Sequence, residues 1–154
     1  MTDNEVIFMK KLLFVVIGCA LLLCGCQSKE NTSLNNQYNE ISKAREIQII
    51  NADTSDTVET LTSKEEIENF ITALDMEKWE YSSLPENAHQ SGSFVFLQEE
   101  TLKAGQTATD GQLYDTCKLY IYQDCPYISF EISEMSIDFK VSDSTKEYLD
   151  AYFD

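Results

Sequence analysis

The stretch LYDTCKLYIYQDCPYISFEISEMSIDFKV, residues 113–141, decides the fold of this chain. Apolar and polar side chains alternate along three runs within it, residues 113–122, 127–133 and 136–141. Such alternation is typical of strands that have one buried face and one face in water. We therefore predict an antiparallel meander of three strands. Its predicted inward side chains are Cys117, Leu119, Ile121, Ile128, Phe130, Ile132, Ile137, Phe139 and Val141.

The same alternation predicts four tyrosines on the opposite face of these neighbouring strands. They are Tyr114, Tyr120, Tyr122 and Tyr127. Exposed aromatic side chains are common in recognition surfaces, so these four are our candidate interaction surface. The alternative is cross-strand packing of the same rings beneath a helix or a loop.

The segments before the meander predict a hairpin followed by a helix. Residues 44–50 and 57–62 read as two strands around the turn-forming sequence NADTS. Ser63 and Glu66 then have the spacing of a capping box, which predicts a helix over residues 64–74. The apolar stripe of this helix consists of Ile67, Phe70, Ile71 and Leu74.

Two more strands and a last helix complete the predicted elements. Residues 77–83 indicate a strand with Trp79 and Tyr81 on one face, and residues 93–102 begin as another strand. Ser144 repeats the capping-box spacing and predicts the start of a short C-terminal helix. The apolar side of that helix consists of Tyr148, Leu149, Tyr152 and Phe153.

The predicted order of elements is β-β-α-β-β-β-β-β-α. We therefore expect an α+β fold, with an antiparallel sheet of about five to seven strands. One capped helix follows the first hairpin, and a short helix ends the chain. Both helices are expected to lie on one face of the sheet, where every apolar stripe finds a partner.

A second informative stretch, residues 9–26, reads MKKLLFVVIGCALLLCGC. Two lysines precede a run of apolar and small residues, 12–23. This run is about as long as a signal-peptide core and shorter than the roughly 20 residues that a membrane span needs. The run ends in Leu23, Cys24, Gly25 and Cys26, which resembles the lipobox of bacterial lipoproteins.

This resemblance implies that Leu23 and Gly25 are recognition positions for signal cleavage. It also implies that the Cys26 thiol is diacylated and that Cys26 becomes the first residue of the mature chain. Two acyl chains give stable anchoring, so we expect a protein attached to the cell membrane on its extracytoplasmic face. The alternatives are an ordinary secretory signal cut elsewhere and an uncleaved N-terminal helix.

The chain is therefore predicted to have three parts. Residues 1–25 are a signal peptide, and residues 1–8 are read as a mis-called extension because two acidic side chains there dilute the basic region. Residues 26–43 are the lipidated cysteine and a flexible polar tether. Residues 44–154 are a single α+β domain. Residues 46–153 also resemble small Gram-positive lipoproteins with a compact domain of unknown function, a resemblance that implies no activity.

The composition is strongly acidic, with 27 Asp and Glu against 11 Lys and Arg and a formal net charge of −16. Such a surface argues against binding nucleic acid or anionic lipid head groups. It suits either a basic or cationic partner or simple solubility beside an anionic envelope. The expected partners are the membrane, through the lipid anchor, and an unknown envelope protein or ligand.

Catalytic and metal-binding motifs give little signal. His89 is the only histidine and lies in a polar loop, where we expect it to be exposed. Asn51 begins an alternation similar to a calcium loop, but Asp56 stands where that loop needs glycine, so we predict no metal and no cofactor. Cys117 is expected in the core, opposite Ile132, and Cys125 is expected in the turn. That separation is too large for a disulfide bond.

Two hypotheses about function follow. The first is a lipid-anchored, non-enzymatic domain that binds another envelope component. The second is a small hydrolase or thiol enzyme that acts on the envelope, which needs His89 or a cysteine within hydrogen-bonding reach of a reactive partner.

Overall fold

The computed structural model describes residues 38–102, 104–105 and 107–153. The predicted signal peptide, the predicted lipobox with Leu23, Gly25 and Cys26, and the predicted tether up to residue 37 lie outside the described residues. The strands are β1 (Glu46–Asn51), β2 (Thr57–Leu61), β3 (Glu80–Tyr81), β4 (Gln90–Glu99), β5 (Leu113–Tyr122), β6 (Tyr127–Ile132) and β7 (Met135–Lys140). The helices are α1 (Lys64–Ala73) and α2 (Asp143–Asp150), with a 3-10 turn at Met76–Lys78 and helical backbone at 38–41.

The seven strands form one antiparallel sheet in the order β2-β1-β4-β5-β6-β7-β3. The predicted α+β class, the predicted element order and the predicted meander are therefore confirmed. Within the meander Cys117 pairs with Ile132 and Leu119 pairs with Phe130, as the alternation predicts. No helix in the part of the chain that the structure describes is long and apolar enough to cross a membrane.

Both helices contribute their apolar stripes to one core on one face of the sheet. The Phe70 ring of α1 lies 4.8 Å from that of Phe94 on β4 and 5.9 Å from that of Tyr152 after α2. Burial of each Phe or Ile side chain contributes about 1.5–3 kcal/mol relative to leaving it exposed. The fully buried side chains include Ile47, Ile49, Phe70, Leu74, Phe94, Phe96, Leu119, Ile121, Ile128, Phe139 and Leu149.

The first helix begins as the sequence predicts. The Ser63 hydroxyl accepts a hydrogen bond from the Glu66 backbone N–H at 3.2 Å, and the Glu66 carboxylate accepts one from the Ser63 backbone N–H at 3.2 Å. These two bonds satisfy backbone donors that a helix N-terminus leaves without partners. The predicted capping box is therefore confirmed.

The second helix begins two residues earlier than predicted. Ser142, not Ser144, is the N-cap, and its hydroxyl accepts a hydrogen bond from the Thr145 backbone N–H at 3.3 Å. Asp143 then lies in the first turn, where a carboxylate interacts favourably with the positive end of the helix dipole. Both serines are suitable N-cap residues in the sequence. Because β7 ends at Lys140, the chain is free to begin the helix directly after Ser142.

The strand predicted over residues 77–83 is wrong over most of its length. Asp75 has left-handed backbone with φ of 46°, after which the chain makes the 3-10 turn and only the two-residue β3. The Trp79 indole N–H donates to the Leu74 carbonyl oxygen at 2.8 Å, which folds this segment back on the end of α1. The rings of Trp79 and Tyr81 still lie on one side, as predicted. Their centroids are 5.2 and 5.0 Å from that of the Phe139 ring.

The boundary predicted between tether and domain also lies inside the fold. Ile41, which we placed in the tether, is completely buried in the core. The backbone carbonyl of Glu40 accepts a hydrogen bond of 2.6 Å from the Gln98 amide on β4. The folded domain therefore includes residues before 44, because Ile41 packs into the core and the Glu40 carbonyl is bound to β4.

Candidate functional site

Three of the four predicted tyrosines share the outer face of the sheet, away from the helices. Register pairs Tyr120 with Ser129, and Ser129 with Asp138, across β5, β6 and β7. Tyr122 and Tyr127 have the same phase of alternation on their strands. All three rings are half-buried.

Tyr114 lies on the other face because β5 contains a bulge. Phe96 pairs with Cys117, but the next residue of β4, Leu97, pairs with Asp115 and leaves Thr116 without a partner. One extra residue shifts the alternation by one, so Tyr114 points to the helix side of the sheet, away from the other three tyrosines. There its hydroxyl donates to the Asp110 carboxylate, a bond that raises the pKa of Tyr114.

Two of the three outer tyrosines, Tyr120 and Tyr122, have hydroxyl groups that are hydrogen-bonded within the fold. Tyr122 and Ser129 share a hydrogen bond of 2.8 Å, and the Ser129 hydroxyl donates to Asp138 at 2.6 Å. The Tyr120 hydroxyl lies 3.3 Å from the Glu131 carboxylate, and burial raises the pKa of Tyr120. These contacts are those of cross-strand packing.

A loop, residues 82–89, reaches this outer face. It connects β3 at one edge of the sheet to β4, four strands away in the order, so it must pass β7, β6 and β5. The Leu84 backbone N–H donates to the Asp138 side chain at 3.3 Å, and the Ser82 backbone N–H donates to the Asp138 carbonyl at 3.1 Å. The loop therefore lies beside Tyr122 and its partners, which favours the packing alternative for this part of the tyrosine face.

The two described cysteines are unbridged, as predicted. Cys117 is buried, and desolvation raises the pKa of its thiol to about 12. A thiol with a pKa raised in this way contains very little thiolate at neutral pH, so Cys117 lacks the features of a nucleophilic cysteine. Cys125 is half-buried in the turn between β5 and β6.

His89 is exposed, as predicted. Its backbone carbonyl accepts a hydrogen bond of 2.8 Å from the Gln123 backbone N–H, in the turn that also contains Cys125. Among the described residues the imidazole of His89 and the thiol of Cys125 are not hydrogen-bonded to each other. Topology thus brings a histidine and a thiol to one end of the sheet without forming a catalytic pair.

The Asn51 side chain has a local role in the first hairpin. Its carboxamide oxygen accepts hydrogen bonds from the backbone N–H groups of Asp53 and Thr54, at 2.9 and 3.2 Å. This is an Asx turn, which explains the polar turn sequence without a metal ion. Across residues 38–102, 104–105 and 107–153, no three His, Cys, Asp or Glu side chains meet in a metal-binding arrangement.

A groove that was not predicted from the sequence lies between residues 38–45 and α1. It has a volume of about 490 Å³, within the range typical of ligand pockets. Ile67 and Ile71 of α1 form part of its lining and are almost fully buried. Its other lining residues are Tyr38, Ser42, Lys43, Ala44, Arg45, Thr62, Lys64, Glu68 and Thr72.

The charge of this groove is opposite to that of the chain as a whole. Its lining includes three cations, Lys43, Arg45 and Lys64, and one carboxylate, Glu68. Lys43 pairs with Glu40 at 3.0 Å and Lys64 pairs with Glu68 at 3.4 Å, both largely in solvent. Exposed pairs of this kind are worth at most about 1 kcal/mol, so a bound anion can replace them. Within the described part of the chain, the exposed guanidinium of Arg45 has no ion pair.

Comparisons with known proteins add little to this description. No protein-family model and no curated protein matches the chain. A solved structure, described as a thioesterase-like protein from Clostridium sporogenes ATCC 15579, is similar to it at 12% sequence identity with a TM-score of 0.42. The match covers 71% of this chain and 94% of that one. A similarity at this level supports no conclusion about activity.

Proposed function

We propose that this chain is a membrane-anchored lipoprotein whose domain binds another component of the cell envelope and is not an enzyme. Support for the anchor comes from the sequence alone, in the order of basic residues, apolar run and lipobox that ends at Cys26. Support for binding comes from the groove beside α1, which combines a partly apolar lining with a cationic rim.

The groove is the observation that carries the binding role. Ligand sites are concave, have apolar surface, and contain a few polar groups that orient the ligand. The tyrosine face gives weaker support, because two of its hydroxyl groups are engaged by neighbouring strands. The buried Cys117, with its pKa raised to about 12, offers no nucleophile.

Metabolic labelling with an alkyne fatty acid tests the anchor. We expect the wild-type chain to incorporate the label and Cys26→Ala to lose it. Cys24→Ala is the matched control, because it removes a neighbouring cysteine and should leave labelling unchanged. Label on Cys26→Ala at the wild-type level would contradict lipidation at this residue.

Photo-crosslinking in intact cells tests the binding role separately. A photoreactive side chain at Thr72, in the groove, should give a discrete adduct with one envelope component. The same side chain at Glu147, exposed on α2, serves as the control and should not give that adduct. Equal adducts at both positions, or none at Thr72, would count against the groove as the binding surface.

The position of His89 beside the turn that contains Cys125 favours a second candidate, a thiol enzyme. An activated thiol reacts quickly with alkylating agents because a basic partner raises its thiolate fraction. Under our proposal, the rate of Cys125 alkylation with iodoacetamide is the same in wild type and in His89→Ala. A tenfold slower rate in His89→Ala would instead favour the enzyme.

A further inference from the structure

We infer that the groove beside α1 binds a small organic anion, whose acidic group is held at Arg45 and whose apolar part lies against Ile67 and Ile71. This inference specifies the ligand class for the proposed binding role, and it does not depend on the lipid anchor. Each part of it follows from the lining of the groove.

The acidic group is inferred from the local charge. A chain with a net charge of −16 repels anions over most of its surface, so three cations around one cavity are a local reversal. Arg45 is the best-suited member, because a guanidinium presents a planar fork that matches carboxylate and phosphate oxygens. Its own backbone N–H donates to the Leu97 carbonyl at 2.8 Å, which fixes the main chain at the mouth of the groove.

The apolar part of the ligand is inferred from the side chains of α1 that line the groove. Ile67 and Ile71 are one turn apart on the helix, and both line the cavity while packing into the core. The Tyr38 ring lines the same cavity, is 51% exposed and is not part of the core, so it offers apolar surface to a ligand. A purely inorganic anion would make no use of the exposed Tyr38 ring or of the outer edges of the two isoleucines.

The size of the groove and the negative charge of the protein argue against a membrane surface as the ligand. A volume of about 490 Å³ accommodates a single small molecule. An extended anionic surface would also meet the acidic remainder of the protein, which a solitary small anion avoids. We therefore favour a free small molecule over an anionic lipid bilayer.

Phenyl phosphate is a suitable probe, because it joins an aromatic ring to a phosphate group. Equilibrium dialysis would measure its binding to the full processed chain in phosphatidylcholine nanodiscs, with empty nanodiscs subtracted. For a probe of this size we expect a dissociation constant of about 1–10 mM. Phenol and inorganic phosphate each have one half of the chemistry and should bind at least about fivefold more weakly.

Two variants locate the site. Arg45→Gln should weaken phenyl phosphate binding about five- to tenfold, because it removes a charged donor at a solvent-exposed site. Lys140→Gln is the matched control, since it removes one positive charge from an exposed position on β7 and should leave binding unchanged. Thr72→Trp keeps every cation but fills the groove, so it should abolish binding.

Three results would overturn the inference. They are equal binding of inorganic phosphate and phenyl phosphate, equal losses in Arg45→Gln and Lys140→Gln, and stronger association with phosphatidylglycerol nanodiscs than with the free probe. Circular dichroism shows whether Thr72→Trp is folded. If it is unfolded, the comparison of Arg45→Gln with Lys140→Gln tests the inference alone. Wild-type labelling of Cys26→Ala would contradict the anchor but would not change the comparison of probes and variants in the binding measurement, so failure of the anchor and failure of the groove are distinguishable.

Discussion

The aromatic ring of Phe153 lies directly on the backbone of Gly92. A Cβ atom added at Gly92 would overlap this ring and lie 2.8 Å from the Ile50 carbonyl oxygen on the neighbouring strand. Gly92 has ordinary extended backbone within β4, so space and not conformation requires glycine here. The C-terminal segment therefore closes over the sheet at a position where no other residue fits.

Gly92→Ala should consequently lower the free energy of unfolding by about 1–3 kcal/mol, the usual cost of forcing an extra carbon into a packed core. Urea denaturation followed by tryptophan fluorescence measures this change. Phe153→Leu removes the ring edge, so the cost of Gly92→Ala should be smaller in that background. An unchanged urea midpoint for Gly92→Ala would show that Phe153 does not hold the position described here.

Some elements of the fold and of the groove can be predicted from the sequence, and others cannot. The bounds of β5 to β7 follow from their alternation, because a one-residue slip would expose every core side chain. The bulge at Thr116 was not predictable in this way, since it depends on pairing with β4, and it moved Tyr114 to the other face. The groove was hidden because Arg45 and Lys64 are separated by the first hairpin and meet only after folding.

The end of α1 provides a second prediction. The Leu74 carbonyl oxygen accepts hydrogen bonds from the Trp79 indole at 2.8 Å and from the Thr145 hydroxyl at 3.3 Å. Trp79→Phe keeps most of the buried ring and removes one donor, so the free energy of unfolding should fall by about 1–2 kcal/mol.

Thr145→Val should cost less than Trp79→Phe, because the shorter indole bond still satisfies this carbonyl. The double variant should lose more than the sum of the two single losses, since only there is a buried acceptor left without a partner. Chemical denaturation of all four proteins, monitored by circular dichroism, completes the cycle. Simple additivity would mean that the two side chains do not share this acceptor.

The capping box predicts a pH dependence of stability. Hydrogen bonds from the Ser63 side chain and backbone lower the pKa of Glu66 below its usual value of 4.5. A carboxyl group with a lowered pKa in the folded state contributes stability that is present above its unfolded pKa and is lost as the pH falls through the folded pKa. This contribution should therefore be complete near pH 6 and decline below about pH 4.5.

Ser63→Ala should remove the side-chain cap and reduce this dependence, because the Ser63 side chain contributes most to the lowered pKa of Glu66 and only backbone N–H bonds are left. At pH 7 the loss of the cap should cost about 1 kcal/mol. The difference in melting temperature between wild type and Ser63→Ala should shrink as the pH is lowered from 6 to 3. Glu65→Gln is the control, because Glu65 also lies in the first turn but makes no contact with Ser63. A constant difference between pH 6 and pH 3 would contradict this assignment.

Asp138 holds the loop of residues 82–89 on the outer face of the sheet. One carboxylate oxygen accepts from the Ser129 hydroxyl at 2.6 Å, and the other accepts from the Leu84 backbone N–H at 3.3 Å. Asp138→Ala removes both acceptors, whereas the bond from the Ser82 N–H to the Asp138 main chain remains. The loop should then open locally while the sheet stays folded.

Hydrogen exchange measured by mass spectrometry tests this expectation. In Asp138→Ala, peptides that cover residues 82–89 should exchange about five- to tenfold faster, which corresponds to loss of roughly one hydrogen bond. Peptides from β4 should be unaffected. Tyr122→Phe is the matched control, because it removes a hydroxyl from the same network but leaves the carboxylate bound to Leu84. Equal acceleration in both variants would assign the anchoring to the network as a whole, and unchanged exchange in Asp138→Ala would show that this carboxylate does not hold the loop.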